Sequence, residues 1–291
     1  MRDTESNRRS ISDLAHRLFL NPAEQDLGGE PVPVGPAGAS PAETGRVLDA
    51  VTCRIGRPTH FGGSSAGPSI RWRTKSHTVI LDTRHRDRRL QVSVRRTWDL
   101  EDAEAAAFRR RPGEGRTPLT PYRDLPYLWQ WQPAASASPP PPAPPAPNWA
   151  QLSESLEGLL HAWSEQLEVQ LHTDAGFDIV VGGVGPTRRL ITLVGPEEDV
   201  HVLVDDPVAE GAHGAEMNSR GWQDFVPLLR WWEAHFARTA AGAREAAHLI
   251  VSEAQKQGAR NPGDLQLADV RVEAENPGRL SLPGLGVASP A

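Results

Sequence analysis

The stretch Ser69–Val94, SIRWRTKSHTVILDTRHRDRRLQVSV, decides the fold class. Three runs in it, Ile70-Arg71-Trp72-Arg73, Thr78-Val79-Ile80-Leu81 and Leu90-Gln91-Val92-Ser93-Val94, alternate apolar and polar residues. Successive side chains of a strand point to opposite faces, so this period predicts half-buried antiparallel strands. The polar stretches between them, Thr74–His77 and Arg84–Arg89, are short enough for hairpin connections.

Helices are expected on either side. Ser40 stands as an N-cap with Pro41 at the first helical position and Glu43 three residues after the cap, and Val47, Leu48 and Val51 line one face. Gly56 and Pro58 stop this helix, and Phe61–Pro68 reads as a glycine-rich turn. A second helix is predicted over Leu100–Arg111, capped by Asp99, and a short amphipathic one over Ser10–Leu20. Pro112–Trp131 is interrupted by Pro118, Pro121 and Pro126, and reads as an extended tail laying Tyr122, Tyr127, Trp129 and Trp131 against the preceding domain.

Eight prolines in the fifteen positions 133–147 cannot enter helix or sheet interior and favour a stiff polyproline rod. At roughly 3.1 Å per residue it would span about 45 Å. Beyond it, Asn148 caps a helix over Trp149–Gln170 whose Leu152, Leu156, Leu159, Leu160, Trp163 and Leu167 form one apolar stripe. Strands follow at Phe177–Val181, Leu190–Val194 and Val200–Val204, with Gly182–Pro186 and Gly195-Pro196 as turns. Helices are read over Trp222–Arg238 and Ala240–Gln257, then a terminal hairpin of Val270–Glu273 and Arg279–Leu282 about Asn276-Pro277-Gly278.

Both halves therefore run helix, three strands, helix. The expected fold is α+β: two small domains, each a three-stranded antiparallel sheet flanked by helices, either a tandem repeat or two units of independent origin. The boundaries are a flexible N-terminal segment over 1–39, a first domain over 40–132, the linker 133–147, a second domain over 148–257 and a C-terminal hairpin and tail over 258–291.

At 291 residues there is enough chain for two such cores without metals or disulfides. The single Cys53 allows no intrachain disulfide and is too little for a cysteine zinc site, which fits a reducing, cytoplasmic setting. No eighteen apolar residues run together and the N-terminus lacks a signal-peptide core, so neither membrane spanning nor the usual secretion is expected. Residues 1–150 hold 21 Lys+Arg against 16 Asp+Glu, leaving 10 against 21 for the remainder, a split of +5 and −11. Such asymmetry favours attraction between the halves or partners of different sign.

Arg54-Ile55-Gly56-Arg57-Pro58-Thr59, followed by the Ser69–Arg73 strand and the two strands after it, resembles an uncharacterised group of actinobacterial α+β domains. Members end a helix in a Gly-x-Pro-Thr turn and then place a Trp-Arg strand; the resemblance covers residues 41–110. It implies a fold and no chemistry, and by analogy some small proteins of this kind are immunity or accessory proteins of secreted toxins.

The sequence carries no catalytic constellation. The ten histidines form no His-Glu-x-x-His or His-x-His pattern, and Gly182–Pro186 leads into a strand where a phosphate loop would need a helix. No cofactor and no metal site is expected. Arginines gather at Arg84–Arg89, Arg95-Arg96 and Arg109–Arg111, but interleaved Asp82, Asp87, Asp99, Glu101, Asp102 and Glu104 offset them. The candidate interface residues are Trp72 with Arg71 and Arg73, and Trp231, placed on the flank of the Trp222–Arg238 helix. The expectation is a non-enzymatic protein-binding or accessory module with a protein partner and no membrane. The alternative is a nucleic-acid binder using the Arg-rich strands.

Overall fold

The computed structural model describes residues 2–20, 30–84, 87–109, 125–133, 145–182, 189–195, 199–206, 214–273 and 277–288. In chain order the elements are α1 (Arg2–Leu20), β1 (Val32–Pro33), α2 (Pro41–Ile55), β2 (Phe61–Ser64), β3 (Gly67–Arg73), β4 (His77–Arg84), β5 (Arg89–Arg96) and α3 (Thr97–Arg109). Next come β6 (Trp129–Pro133), α4 (Trp149–Leu171), β7 (Ala175–Val181), β8 (Arg189–Val194), β9 (Val200–Asp205) and α5 (Gly214–Ser219). The chain continues through β10 (Asp224–Val226), β11 (Trp231–Phe236), α6 (Ala240–Lys256), β12 (Leu265–Val272) and β13 (Gly278–Ser281).

These strands make two antiparallel sheets, so the class is α+β. The first has seven strands in the order β1-β5-β4-β3-β2-β6-β13, the second six in the order β10-β11-β9-β8-β7-β12. The expected three-stranded sheets are therefore each only the middle of a larger one. In the first sheet Ile70 pairs with Leu81 and Leu81 with Val92, while Trp72 pairs with Val79 and Val79 with Val94. This puts six apolar side chains on one face, where Ile11, Ala15 and Leu18 of α1 and Val47, Leu48 and Val51 of α2 cover them. In the second sheet Phe177, Ile179, Val202, Val204 and Ala234 face α4 and α6 in the larger apolar cluster.

The sequence signals for several elements act as read. Ser40 Oγ accepts from Glu43 N–H and Glu43 returns a bond to Ser40 N–H at 2.8 Å, a complete capping box. Asn148 Oδ1 accepts from Gln151 N–H at 2.9 Å and starts α4 where expected.

Four readings are corrected. Phe61–Ser64 is strand β2 and not part of a turn, because its glycines let other backbone come close: a Cβ on Gly62 would lie 2.6 Å from Trp129 O. The end of the supposed tail, from Trp129, supplies with Gln132 and Pro133 the strand β6, an interior strand between β2 and β13, with Trp129 and Trp131 buried. Trp222–Arg238 is not a helix. Pro227 would remove an intrahelical bond and clash, so the segment folds as a β10–β11 hairpin, with Trp232, Ala234 and Phe236 on the core side and Trp231, Glu233 and His235 on the other. Finally, β12 and β13 do not pair with each other: β12 joins β7 and β13 joins β6, because each completes the ladder of a different sheet. Tyr122, linker residues 134–144, Gly183–Pro186 and Glu197-Glu198 lie outside the described residues.

Helix α4 serves both sheets. Its leucine stripe packs in the larger cluster, while two glutamines on another side reach β2. Gln170 accepts from Gly62 N–H at 2.9 Å and donates to Gly62 O at 3.0 Å. Gln166 donates to Ser64 O at 2.8 Å and accepts from the Trp129 indole N–H at 3.1 Å. The Gln170 amide thereby satisfies the Gly62 groups that the β2–β3 pairing, interrupted between His60 and Gly63, leaves open, and Gln166 adds a bond at Ser64 O.

Candidate interaction surface

The surface that stands out is built by the β10–β11 hairpin at the edge of the second sheet. Its root is fixed in the core. Trp232 packs against Phe225 with ring centroids 5.2 Å apart and donates its indole N–H to Asp206 at 2.8 Å. Trp222, buried just before β10, donates to Glu253 of α6 at 3.2 Å, and Arg220 pairs with the same carboxylate. Gln223 extends the ladder with its side chain, accepting from His235 N–H at 3.1 Å and donating to His235 O at 3.2 Å.

Between the strands Pro227 to Arg230 form the turn, and Arg230 adopts a left-handed φ of 55°. The turn carries Leu228, 91% exposed, and Leu229, 50% exposed. Beside them Val226 and Trp231 are direct cross-strand partners and only half buried. Asp224, Asp205 and Glu233 stand around this apolar group as an acidic rim. Scattered exposed leucines are ordinary, but two at one turn beside a half-exposed indole form a contiguous apolar projection.

The residues singled out from the sequence fall in three places. Trp72 is 2% exposed on the α1–α2 face and donates to Gly56 O at 2.7 Å. With Thr59 Oγ1 bonded to Arg71 O and Arg73 N–H, this bond ties the Gly-x-Pro-Thr turn to the Trp-Arg strand. Arg71 lies on the opposite face, 6% exposed, forked onto Glu104 of α3 through two contacts of 2.7 Å. Its guanidinium also sits 4.6 Å over the Tyr127 ring. Burial by itself works against that charge, but Glu104 and the Tyr127 oxygen outweigh it and the Arg71 pKa is raised. Arg73, half exposed, pairs with Glu101. Trp231 alone of the four adjoins the exposed leucines. Leu228 and Leu229 escaped the sequence reading because they fitted a helical stripe; Pro227 between the two apolar runs was the signal against it.

Two polar clusters lie on the outer side of the second sheet. Asp178, fully buried in β7, is paired by Arg189 of β8 and by Arg271 of β12 at 3.1 Å. His201 and His235 face each other across β9 and β11. Among the described residues no group of three or more His, Cys, Asp or Glu side chains is placed to hold a metal, and no helix is long and apolar enough to cross a membrane. No family model, curated protein or solved structure matches the chain.

Proposed function

We propose that this chain is a non-enzymatic protein-binding module that docks its partner on the β10–β11 hairpin tip, in the cytoplasm and in an accessory or immunity-like role. The observation that carries the reading is the exposure of Leu228 and Leu229 on a turn whose root is anchored by buried Trp222 and Trp232. Covering a leucine side chain contributes about 2 kcal/mol, and a rigidly held apolar tip loses little conformational freedom on docking. The acidic rim favours a partner with basic residues around an apolar pocket. The test is purification of the full chain from its native cells beside a Leu228→Ser/Leu229→Ser variant. A stoichiometric partner is expected with the wild type and not with the variant, whose thermal midpoint stays the same. A partner retained by the variant overturns the assignment of the tip; no stoichiometric partner at all overturns the binding reading.

A second reading, nucleic-acid binding, has one observation in its favour. Several arginines in or beside the first sheet are paired: Arg71 with Glu104, Arg73 with Glu101, Arg88, just before β5, with Glu165, and Arg89 with Asp87. Lys75, Arg95 and Arg96 have no such carboxylate among the described residues, and Trp98, 65% exposed, follows them at the start of α3. The Thr97 N–H bond to Ser76 O brings the Lys75 turn and Trp98 to one corner. Cations around an exposed indole suit a single strand, with base stacking and phosphate contact. A gel shift at about 50 mM salt that disappears with Trp98→Ala supports it, and no shift removes it.

A further inference from the structure

The second sheet places two imidazoles in direct cross-strand register on its outer side. His201 of β9 and His235 of β11 are Cα partners, with His235 Nδ1 2.9 Å from His201 Nε2 and the ring planes at 72°. Glu233, two residues before His235 on the same strand face, brings Oε1 to 3.5 Å from His235 Nε2. Both rings are partly exposed, and Gln223 fixes the backbone of His235 through both its amide atoms.

The chemistry of this arrangement is directional. Glu233 Oε1 beside Nε2 favours the tautomer of His235 that carries its proton on that nitrogen and leaves the Nδ1 lone pair facing His201. In the free protein the two facing nitrogens share one hydrogen across the 2.9 Å between them. We propose that these two nitrogens, once the rings part by roughly half an ångström so that each can bond an ion at about 2.0–2.1 Å, form a site for a borderline transition-metal dication such as Zn2+ or Cu2+, bound by His235 Nδ1 and His201 Nε2 with Glu233 as the outer carboxylate. Imidazole suits these ions and not Mg2+ or Ca2+, and a carboxylate on the far nitrogen of a ligating histidine orients the ring and raises its basicity. Two protein donors leave coordination positions for water or for a donor from a partner, so the site is open and not a closed structural one. When both rings are neutral, each holds its one proton on the nitrogen away from the ion, so the ion enters with no net proton release.

The test uses the full chain in a non-chelating buffer with ZnCl2 alone, read by calorimetry and by the imidazole nitrogen resonances. One equivalent of zinc should bind near neutral pH and shift the His201 and His235 resonances above those of the other histidines, while MgCl2 does nothing. His201→Asn and His235→Asn should each abolish that equivalent, and Glu233→Gln should weaken it about 10- to 100-fold. Should either variant fail to fold, the wild-type resonances still decide. Absence of a zinc equivalent, or zinc shifts confined to other histidines such as His161 or His172, overturns the proposal, as does an unaltered equivalent in both asparagine variants.

Discussion

His60 occupies a position where a positive charge is penalised on every side. The ring is buried and packed near Arg71 and Arg73; burial first, then the two guanidinia, lower its pKa to about 3. Thr59 Oγ1, 2.9 Å from His60 Nδ1, already donates its hydrogen to Arg71 O, so it accepts from the ring, a bond the neutral imidazole makes with Nδ1–H. The unfolded imidazole takes its proton near pH 6.5, whereas the folded one waits until about pH 3. Between those values the unfolded state holds the extra proton, so the stability present above pH 6.5 falls as the pH drops, by up to about 1.4 kcal/mol per unit. His60→Gln should flatten the dependence by close to one proton in urea titrations between pH 6 and pH 4; an unchanged slope would contradict this account. The neighbouring tryptophan shows how far such detail is legible. A period of two already puts Trp72 opposite Arg71 and Arg73, but which face α1 and α2 would cover depends on contacts far along the chain.

Among the elements, β2 and α4 define each other. Gly63 cannot carry a side chain, since a Cβ would lie 2.7 Å from Gly67 O and closer still to Gln166. The two glutamines of α4 stand where a continuous strand pairing would otherwise be. Gln170→Leu keeps the volume but strands Gly62 N–H and O, so it should cost about 1–3 kcal/mol in denaturant unfolding, against less than about 0.5 kcal/mol for exposed Glu168→Gln on the same helix. The α4 helix itself was plain from its cap and its leucine stripe, because both signals are local. Gln166 and Gln170 gave no such sign: an amide on a helix reads as surface until its partner, a glycine strand a hundred residues earlier, is known. The β10–β11 hairpin failed for a related reason, its apolar residues fitting a period of 3.6 nearly as well as a period of two until Pro227 is weighed.

Across the whole molecule, the first sheet is finished by residues from the far end of the sequence. Gly278–Ser281 pair with Gln130–Pro133, and Leu280, Leu282, Leu285 and Val287 are buried in the cluster that also holds Trp129, Trp131 and the start of α4. Ser155 Oγ donates to Leu285 O at 2.7 Å and Ala146 N–H to Gly286 O at 2.8 Å, fastening the same segment to α4 and its approach. Four buried aliphatic side chains contribute roughly 6 kcal/mol or more, much of the net stability of an ordinary domain. Deletion of residues 278–288 should abolish the cooperative thermal transition and shift tryptophan emission to the red; a retained sharp transition would show that β6 is stable as an edge. No local pattern announced this pairing, since alternation shows that a segment is a strand but not which ladder receives it.

That late strand has a cost in time during synthesis. Once β6 has left the ribosome, about 150 further residues must be made before its second neighbour exists, roughly 8–30 s at elongation rates of about 5–20 residues per second. For that interval Trp129 and Trp131 sit on an unfinished margin able to pair with a nascent neighbour on the same polysome. The yield of correctly assembled chains should therefore depend more on chaperone supply than on the intrinsic speed of any helix or hairpin within it.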